Sequence, residues 1–375
     1  MEFTHTDERR MLQDSLRRYL SDRFAPGQRK AILADPMGFS AEMWSGLADL
    51  GVIGALFTED EGGFGGGGFD LMVVFEEMGR AGAIDPLIDT AIMGGGLIAD
   101  LGSDGQKEKL EAVIAGELQL AFAGLEPGGR YDLDHVTTRA EERDGKVTLT
   151  GRKAVVANAP AADLLLITAQ TAEGHDREGI RVYLVAPDAP GLSMRDYDLT
   201  GGGRAAEITL EGVPAEPLGD DSPAWPAIER RAAQATTALC AEALGLMETA
   251  IDLTLDYMRT RKQFGQPIGK FQALQHRMAD VVIEREQARS AVINLAGHLH
   301  REPELRELHV SAAKNLIGRV GRLVAEEAIQ IHGGIAMTQE YELAHIAKRL
   351  LMIDHRFGDA EHHLERFIRL SRGAA

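Results

Sequence analysis

The first third of the chain has the pattern of amphipathic helices. Leu12, Leu16 and Leu20 recur every four residues, which places them on one face of a helix. Ser40 is a suitable N-cap residue for a further helix. The pattern predicts mainly helical structure from Phe3 to Ile114.

Six glycines between Thr58 and Asp70 interrupt this helical pattern. A phosphate-binding P-loop would require Gly-Lys-Ser/Thr at the start of a helix that directly follows a strand, and the segment has neither feature. We therefore interpret it as an exposed turn between two helices, and helices are again predicted over residues 71–82 and 104–114.

The middle of the chain, from about residue 118 to residue 218, has the pattern of short β-strands. The predicted strands are rich in β-branched and apolar residues and are separated by Gly, Pro or Asp. Because no helices lie between them, they favour antiparallel pairing in a small barrel or sandwich. The predicted strands are Lys146–Thr150, Asp163–Thr168, Ile180–Val185 and Ala206–Leu210.

After Pro223 the helical pattern returns and continues to the end of the sequence. Long helices joined by short connections indicate an antiparallel bundle of the four-helix type. The predicted helices are Pro226–Arg261, Gln272–His300, Glu304–His332, Thr338–Asp354 and Phe357–Arg372. The predicted fold class is therefore α+β, with a helical domain over residues 1–116, a middle antiparallel β domain over 117–222 and a helical bundle over 223–375.

The composition argues against several classes of protein. The formal charge is −18, from 58 acidic and 40 basic residues, and such a surface repels nucleic acid and anionic lipid. No apolar run approaches the roughly 20 residues that a membrane-spanning helix requires, and the N-terminus lacks the pattern of a signal peptide. The single cysteine, Cys240, fits a reducing compartment. We expect a cytoplasmic protein that binds neither nucleic acid nor membrane.

A basic segment, Tyr257–Gln275, is unusual in this acidic chain. It places Arg261 and Lys262 near the end of a long helix, beside glycines that break the helix and two phenylalanine rings. Guanidinium groups, open backbone amides and flat rings are the groups that a dinucleotide cofactor requires. Taken alone, however, the segment is explained equally well as a helix C-cap with basic residues near the negative end of the helix dipole.

A second segment, Gln330–Tyr341, carries Gly333-Gly334 after a long helix, with His332 directly before the glycines. Glycine allows a ligand to approach the backbone closely. For this segment alone, a plain turn between two helices is the better interpretation.

The histidines and the cysteine do not indicate a metal site or a nucleophile. The histidines near the C-terminus lack the i, i+4 pair with a carboxylate that binds zinc on a helix, and His362 and His363 are adjacent and point to different faces. Cys240 lies among alanines and is interpreted as a packing residue. We predict no metal site.

Two stretches together resemble the signature sequences of acyl-CoA dehydrogenases. They are YMRTRKQFGQPIGKFQALQHRMAD (257–280) and QIHGGIAMTQEYELAHIAKR (330–349). The resemblance covers nearly the whole chain and includes Glu126-Pro127-Gly128 at the start of the β domain. It implies FAD-dependent α,β-dehydrogenation of an acyl-CoA thioester, in fatty acid or steroid side-chain degradation, with an electron-transfer flavoprotein or a similar protein as electron acceptor.

The resemblance also implies that FAD is held between chains, so that we expect a homo-oligomer or a heteromer. The candidates on the pyrophosphate side are Arg261, Gln263, Phe264 and Gln272. The candidates on the adenosine side, from a neighbouring chain, are Gln330, His332, Gly333 and Gly334.

The sequence departs from the family pattern around the flavin. Leu125 and Tyr131 stand where a Thr and a Ser are expected in the loop that covers the flavin. Val155-Val156-Ala157 replaces a Trp-Ile-Thr-type strand, so the Trp and Thr that would contact the isoalloxazine ring are absent.

The glutamate that removes the substrate's α-proton is absent from both family positions, which are occupied by Phe357 and Ala235. Two other carboxylates are candidates for this base, Asp280 and Asp359, and we rank Asp280 first. Their alternative roles are a helix-face charge or interhelical salt bridge for Asp280 and an N-cap of the final helix for Asp359.

A further alternative needs no base in this chain. The ending FGDAEHH, from Phe357, resembles the smaller chains of heteromeric bacterial acyl-CoA dehydrogenases that degrade steroid side chains. In those enzymes one chain carries the base and the other completes the FAD site. The chain would then belong to a heterotetramer with a second acyl-CoA dehydrogenase chain, or it would be a catalytically inactive, structural subunit.

Overall fold

The computed structural model of the chain describes residues 6–24, 26–171 and 176–373. The chain divides into two compact units. The first unit comprises Met1–Arg29, Gly67–Ala83 and Thr236–Ala375, and the second comprises Lys30–Gly66 and Ile84–Ala235.

The N-terminal third is helical, as the pattern predicts, although the predicted start at Phe3 lies outside the described residues. The Ser40 side chain accepts a hydrogen bond from the Met43 amide at 3.2 Å, so the predicted N-cap is confirmed. The α-helices are α1 (Asp7–Arg23), α2 (Pro26–Leu33), α3 (Ala41–Asp49), α4 (Gly68–Ala81), α5 (Gly96–Leu101), α6 (Asp104–Lys107) and α7 (Lys109–Ile114). A π-helical stretch, Ile88–Gly95, directly precedes α5.

The second unit is built around a seven-stranded sheet. Its strands are β1 (Leu120–Ala123), β2 (Arg139–Arg143), β3 (Lys146–Ala157), β4 (Leu164–Gln170), β5 (Ile180–Val185), β6 (Leu192–Asp198) and β7 (Arg204–Pro217). The pairings close into a ring, from β4 through β2, β3, β7 and β5 back to β4, so the predicted barrel is confirmed. Small and branched side chains such as Ala121, Leu149 and Ile208 form its core.

Strict antiparallel pairing, however, is wrong for two pairs in this sheet. Strand β1 runs parallel to β4, with Leu120 opposite Leu164, and β2 meets β4 in parallel through the single pair Arg139 and Gln170. A parallel pair needs a long connection between its strands. The β2–β3 hairpin lies between β1 and β4 in sequence and provides this connection.

Five long helices follow the sheet and form the predicted bundle. They are α8 (Trp225–Thr260), α9 (Gln272–His298), α10 (Pro303–His332), α11 (Glu342–Asp354) and α12 (Ala360–Gly373). Within the first unit, α10 packs against α9, α11 and α12. A two-stranded hairpin, β8 (Lys262–Gln263) and β9 (Gln266–Pro267), separates α8 from α9.

Two predicted helix starts are wrong by several residues. Helix α11 begins at Glu342 rather than Thr338, because a 3-10 turn over Gly333–Met337 ends only at Thr338. The final helix begins at Ala360 rather than Phe357, because Phe357 and Gly358 have φ angles of 55° and 105°, which an α-helix does not allow. None of the helices in the described ranges is long and apolar enough to cross a membrane.

Candidate functional site

The basic segment forms an exposed hairpin at the end of α8. Its tip is formed by Phe264 and Gly265, with φ angles of 55° and 81°. The Phe264 ring is 90% exposed, and its only ring contact in the described residues is an edge-on approach to Phe271 at 6.1 Å between centroids. A ring this exposed is available to a ligand or to another chain.

Three of the four cations of this segment form no ion pair with any described residue. Arg261, Lys262 and Lys270 are exposed and form no ion pair there, whereas the nearby Arg259 contacts Asp256 at 3.0 Å. The candidate amide side chains are likewise exposed and form no hydrogen bond with any described residue; they belong to Gln263, Gln272 and Gln330. The candidate pyrophosphate side therefore presents unused donors to the outside of the unit.

The glycine pair after α10 leaves its backbone open. Gly333 ends the helix with a φ of 69°. A Cβ atom added at Gly334 would meet no other atom within 4 Å, and the φ angle there is not one that requires glycine. The fold of this unit therefore does not require a glycine at position 334, and the backbone there is open to close approach.

The glycine-rich segment between residues 58 and 70 behaves in the opposite way. A Cβ atom at Gly63 or at Gly65 would lie 2.3 Å from the carbonyl oxygen of Gly54 or Ala55, respectively. These glycines are required because two stretches of the same unit pack backbone against backbone. The segment is a turn before α4, as predicted, and its own packing accounts for its composition.

His332 is buried and uses both ring nitrogens within the chain. Its Nδ1 atom lies 2.8 Å from the Ala328 carbonyl oxygen, and its Nε2 atom lies 3.1 Å from the Tyr341 hydroxyl. The imidazole stacks on Tyr257, with 4.4 Å between the centroids. Burial lowers the pKa of His332, so the neutral form is favoured.

Neither candidate base lies in a buried setting. Asp280 is an exposed residue of α9 without a hydrogen-bond partner among the described residues. Asp359 accepts a hydrogen bond from the His362 amide at 2.8 Å, which is the N-cap geometry of α12. The two family positions hold Ala235, which is fully buried, and Phe357, which is partly buried.

Most buried carboxylates elsewhere are held in ion pairs. Glu76, for example, is 3.0 Å from Arg289, and Glu242 is 2.5 Å from Arg349. The buried glutamates in such pairs are Glu76, Glu77, Glu126, Glu242 and Glu307. Asp89 is also buried and lies in the π-helical stretch. A carboxylate whose oxygens are already held by an arginine or lysine is not free to approach a substrate proton.

The loop that carries Phe357 is held rigidly by Lys314 of α10. The buried Nζ atom of Lys314 donates to the carbonyl oxygens of Ile353, Asp354 and Gly358 at 2.9, 2.9 and 2.7 Å. All three contacts are to backbone atoms, so none of them depends on the side chain at position 357.

His363 adds a further contact to this loop. Its Nε2 atom lies 2.9 Å from the Phe357 carbonyl oxygen. Burial, together with the nearby Lys314, lowers the pKa of His363 to about 3. The ring is therefore neutral at physiological pH and donates through Nε2–H.

In the second unit, a buried ion pair holds the Glu126-Pro127-Gly128 loop. Lys153 of β3 is 2.6 Å from Glu126, and it also donates to the Thr168 hydroxyl at 2.9 Å. The Glu126 carboxylate accepts from the amides of Thr137 and Thr138 at 2.7 and 3.0 Å. Burial raises the pKa of Glu126, but Lys153 and the threonine donors more than offset this and lower it to about 2.

Directly after Lys153, the β3–β7 ladder is irregular. The register shifts between Lys153 and Val156, and Val155 is half exposed with a φ angle of 50°. A β-branched residue is disfavoured at positive φ. Bulges of this kind re-aim a side chain out of the ladder, and this one presents Val155 to the outside of the unit.

No group of three or more His, Cys, Asp or Glu side chains that could hold a metal ion occurs in the described ranges.

Comparison with known families identifies the class of protein. Profiles of the N-terminal, middle and C-terminal domains of acyl-CoA dehydrogenases match residues 6–117, 121–213 and 225–370. Together they cover nearly the whole chain. The chain belongs to the acyl-CoA dehydrogenase family, and it has the fold of that family.

Individual relatives support this assignment. The chain is 29% identical over 98% of its length to a probable acyl-CoA dehydrogenase, YngJ, of Bacillus subtilis, of which it covers 98%. It is 30% identical over 82% of its length to a short-chain specific acyl-CoA dehydrogenase of Megasphaera elsdenii, of which it covers 83%. A solved structure named as a variant of the Tcur3481-Tcur3483 steroid ACAD is similar with a TM-score of 0.88 and 30% identity, over 98% of this chain and 99% of that one.

FAD is the cofactor of this family and of this chain, and the residues of the basic segment fit it. The unpaired Arg261 guanidinium suits a pyrophosphate. The exposed side-chain amides of Gln263 and Gln272 suit hydrogen bonds to the polar edges of the cofactor. The open backbone at Gly334, outside the basic segment, allows the cofactor to approach closely. The pyrophosphate and adenosine roles of the individual residues remain predictions.

Lys314 and Lys153 were not singled out from the sequence, although a signal for each is present. Lys314 lies on the same face of α10 as the buried Val310 and Ile317. Lys153 lies four residues after the buried Leu149, on the same face of β3. A lysine on an apolar face is a signal for a buried, paired charge.

Proposed function

We propose that the chain takes part in FAD-dependent α,β-dehydrogenation of an acyl-CoA thioester as one subunit of a heteromeric enzyme. In this reaction a base removes the α-proton, the β-carbon loses a hydride, and a C=C bond forms between the two carbons. FAD, when bound, accepts the hydride, and an electron-transfer flavoprotein or a similar acceptor reoxidises it. The family membership and the dehydrogenase relatives support the reaction class.

The observation that carries the heteromeric assignment is the absence of a carboxylate from both family positions. Abstraction of an α-proton needs a desolvated carboxylate beside the substrate. Phe357 and Ala235 cannot accept a proton, Asp280 is exposed, and Asp359 caps α12. A base supplied by a partner chain resolves this deficit, and the similar steroid ACAD structure carries two components in its name.

The alternative is a catalytically inactive subunit that completes an FAD site for its partner. The unpaired cations beside Arg261 and the open backbone at Gly334 favour it, because these features serve cofactor binding without any base in this chain. The two functions differ in whether this chain itself contacts the acyl-CoA substrate.

The test compares the isolated chain with the chain co-purified with its partner. Visible flavin absorbance reports FAD binding, and anaerobic bleaching by a panel of acyl-CoA thioesters reports dehydrogenation. We expect little or no bleaching by the isolated chain and full bleaching by the complex. Full bleaching by the isolated chain would contradict the proposal and would direct the search to Asp280 and Asp359.

Substitution at the family position provides a second test. Because Lys314 contacts the loop through backbone carbonyl oxygens, Phe357→Glu places a carboxylate at the family position and leaves these three contacts in place. We expect this variant of the isolated chain to bleach with acyl-CoA if the chain forms a complete substrate pocket. FAD binding without bleaching in Phe357→Glu favours the inactive, site-completing subunit.

A further inference from the structure

The strongest unassigned feature of the first unit is the three-ring contact around His332. It joins Tyr257 near the end of α8, His332 at the end of α10 and Tyr341 at the N-cap of α11. The His332 ring is 4% exposed and lies 4.4 Å from the Tyr257 ring and 5.3 Å from the Tyr341 ring, between centroids. The ends of α8 and α10 and the start of α11 therefore meet at one imidazole.

The hydrogen bonds of His332 fix its tautomer. A carbonyl oxygen can only accept, so the contact with Ala328 requires the proton on Nδ1. Nε2 is then the acceptor in the neutral ring, and the Tyr341 hydroxyl must donate to it. Neither nitrogen is left for a cofactor, although His332 directly precedes Gly333.

The contact connects the two segments that are candidates for holding FAD. The Arg261 amide donates to the Tyr257 carbonyl oxygen at 2.8 Å, so Tyr257 lies one helical turn before the basic hairpin. On the other side, His332 is the last residue of α10 before the glycine turn. The residue before the glycine turn thus packs directly on the last turns of α8 through the His332 ring.

We propose that His332 is a positioning residue for the cofactor site. It fixes the Gly333-Gly334 turn against the end of α8, through its hydrogen bond from Tyr341 and its stacking on Tyr257, and it does not itself contact the cofactor. This role rests on the proposed contact between the Gly333-Gly334 turn and FAD.

A double-mutant cycle between His332 and Tyr341 tests the proposal. The dissociation constant for FAD is measured on apoprotein by flavin fluorescence, for the wild type, His332→Leu, Tyr341→Phe and the double variant. Loss of one hydrogen bond corresponds to roughly 3- to 10-fold weaker binding for Tyr341→Phe. Because the Tyr341 hydroxyl acts on the turn only through His332, the double variant is expected to bind FAD no more weakly than His332→Leu alone.

Additive effects of the two substitutions on the logarithm of the dissociation constant would overturn the proposal, because they would indicate a direct contact between His332 and FAD. An unchanged dissociation constant in Tyr341→Phe would overturn it too. That variant keeps both rings and removes one hydroxyl, so it decides the question even if His332→Leu does not fold.

The matched control is His309→Leu on the same helix. His309 stacks on His298 at 3.8 Å and contacts Asn294 at 2.9 Å, so it is a comparable partnered histidine. It lies 23 residues before His332, or about 35 Å along a helix, and we expect no change in FAD affinity. A wild-type protein that binds no FAD overturns the cofactor assignment itself, whereas tight wild-type binding with an insensitive Tyr341 overturns only the role of His332.

Discussion

Removal of the Lys153 ammonium group is expected to destabilise the second unit severely. Lys153→Met keeps the length of the side chain but leaves the Glu126 carboxylate buried without its counter-charge. Breaking a buried ion pair by removing one partner costs about 3–5 kcal/mol. The amides of Thr137 and Thr138 still donate to Glu126, so we expect about 3 kcal/mol.

Urea unfolding followed by tryptophan fluorescence measures this effect directly. Both tryptophans of the chain, Trp44 and Trp225, lie in the second unit, so the signal reports the unit that contains the ion pair. At a typical dependence of about 2 kcal/mol per molar urea, the midpoint should fall by roughly 1.5 M. The double variant Glu126→Gln/Lys153→Met should recover part of the loss, because the unpaired charge is gone.

An exposed ion pair on the same sheet provides the control. Arg143 contacts Glu141 at 2.8 Å, and both side chains are largely exposed. Exposed pairs contribute about 0–1 kcal/mol, so Arg143→Met should shift the midpoint by less than about 0.5 M. If Lys153→Met shifted it by no more than Arg143→Met, the buried pair would not stabilise the barrel, and the reasoning would be refuted.

The same pair predicts the direction of an acid response. The pKa of Glu126 is lowered in the folded chain to about 2 from 4.5, so its contribution to stability is complete above pH 4.5. This contribution to the free energy of unfolding amounts to about 3 kcal/mol, and it is lost as the pH falls from 4.5 towards 2. Wild-type stability should therefore decline over this interval, and Lys153→Met should show a flatter profile, as measured by urea midpoints at each pH.

Further predictions concern the cofactor, the base and the assembly. Gly334→Ala should weaken FAD retention without loss of thermal stability, because its Cβ atom meets nothing in the chain, and the control Gly105→Ala, in equally open space on α6, should leave FAD retention unchanged. Arg261→Ala should lower the flavin content of the purified protein, since it removes an exposed, unpaired guanidinium group; an unchanged content would contradict a pyrophosphate contact. Asp280→Asn and Asp359→Asn should each leave FAD binding and bleaching by the complex unaltered, and loss of bleaching in either variant would identify that residue as the base. Light scattering at micromolar concentration should show a dimer or a larger assembly, and a monomer would contradict a shared FAD site.

Much of the fold could be predicted because its helices and strands have clear periodic patterns. The bundle helices α8, α9 and α10 begin and end within a few residues of their predicted bounds. The shortest strands were missed, since four residues such as Leu120–Ala123 carry no measurable alternation. The strand Arg139–Arg143 was missed as well, although Asp144-Gly145 after it is a strong signal for a tight hairpin.

The site was harder to predict than the fold, because its geometry depends on which side chains contact one another, and periodic patterns do not show this. The basic hairpin was recognised from its composition, and the structure gives the additional fact that Arg261 is unpaired. The sequence could not reveal that His332 is occupied on both nitrogens, since its partners Ala328 and Tyr341 are visible only in three dimensions. Likewise, the exposure of Asp280 depends on which face of α9 meets the bundle.

The attachment of the 353–358 loop to Lys314 has an evolutionary consequence. Since the lysine donates to carbonyl oxygens, its contacts are kept when the side chain at position 357 changes. If position 357 is that of the base, as the proposed function has it, one copy of a duplicated gene can lose the carboxylate there and keep these contacts. A duplicated pair of such chains can then divide its labour, with the catalytic carboxylate retained in one copy and lost from the other.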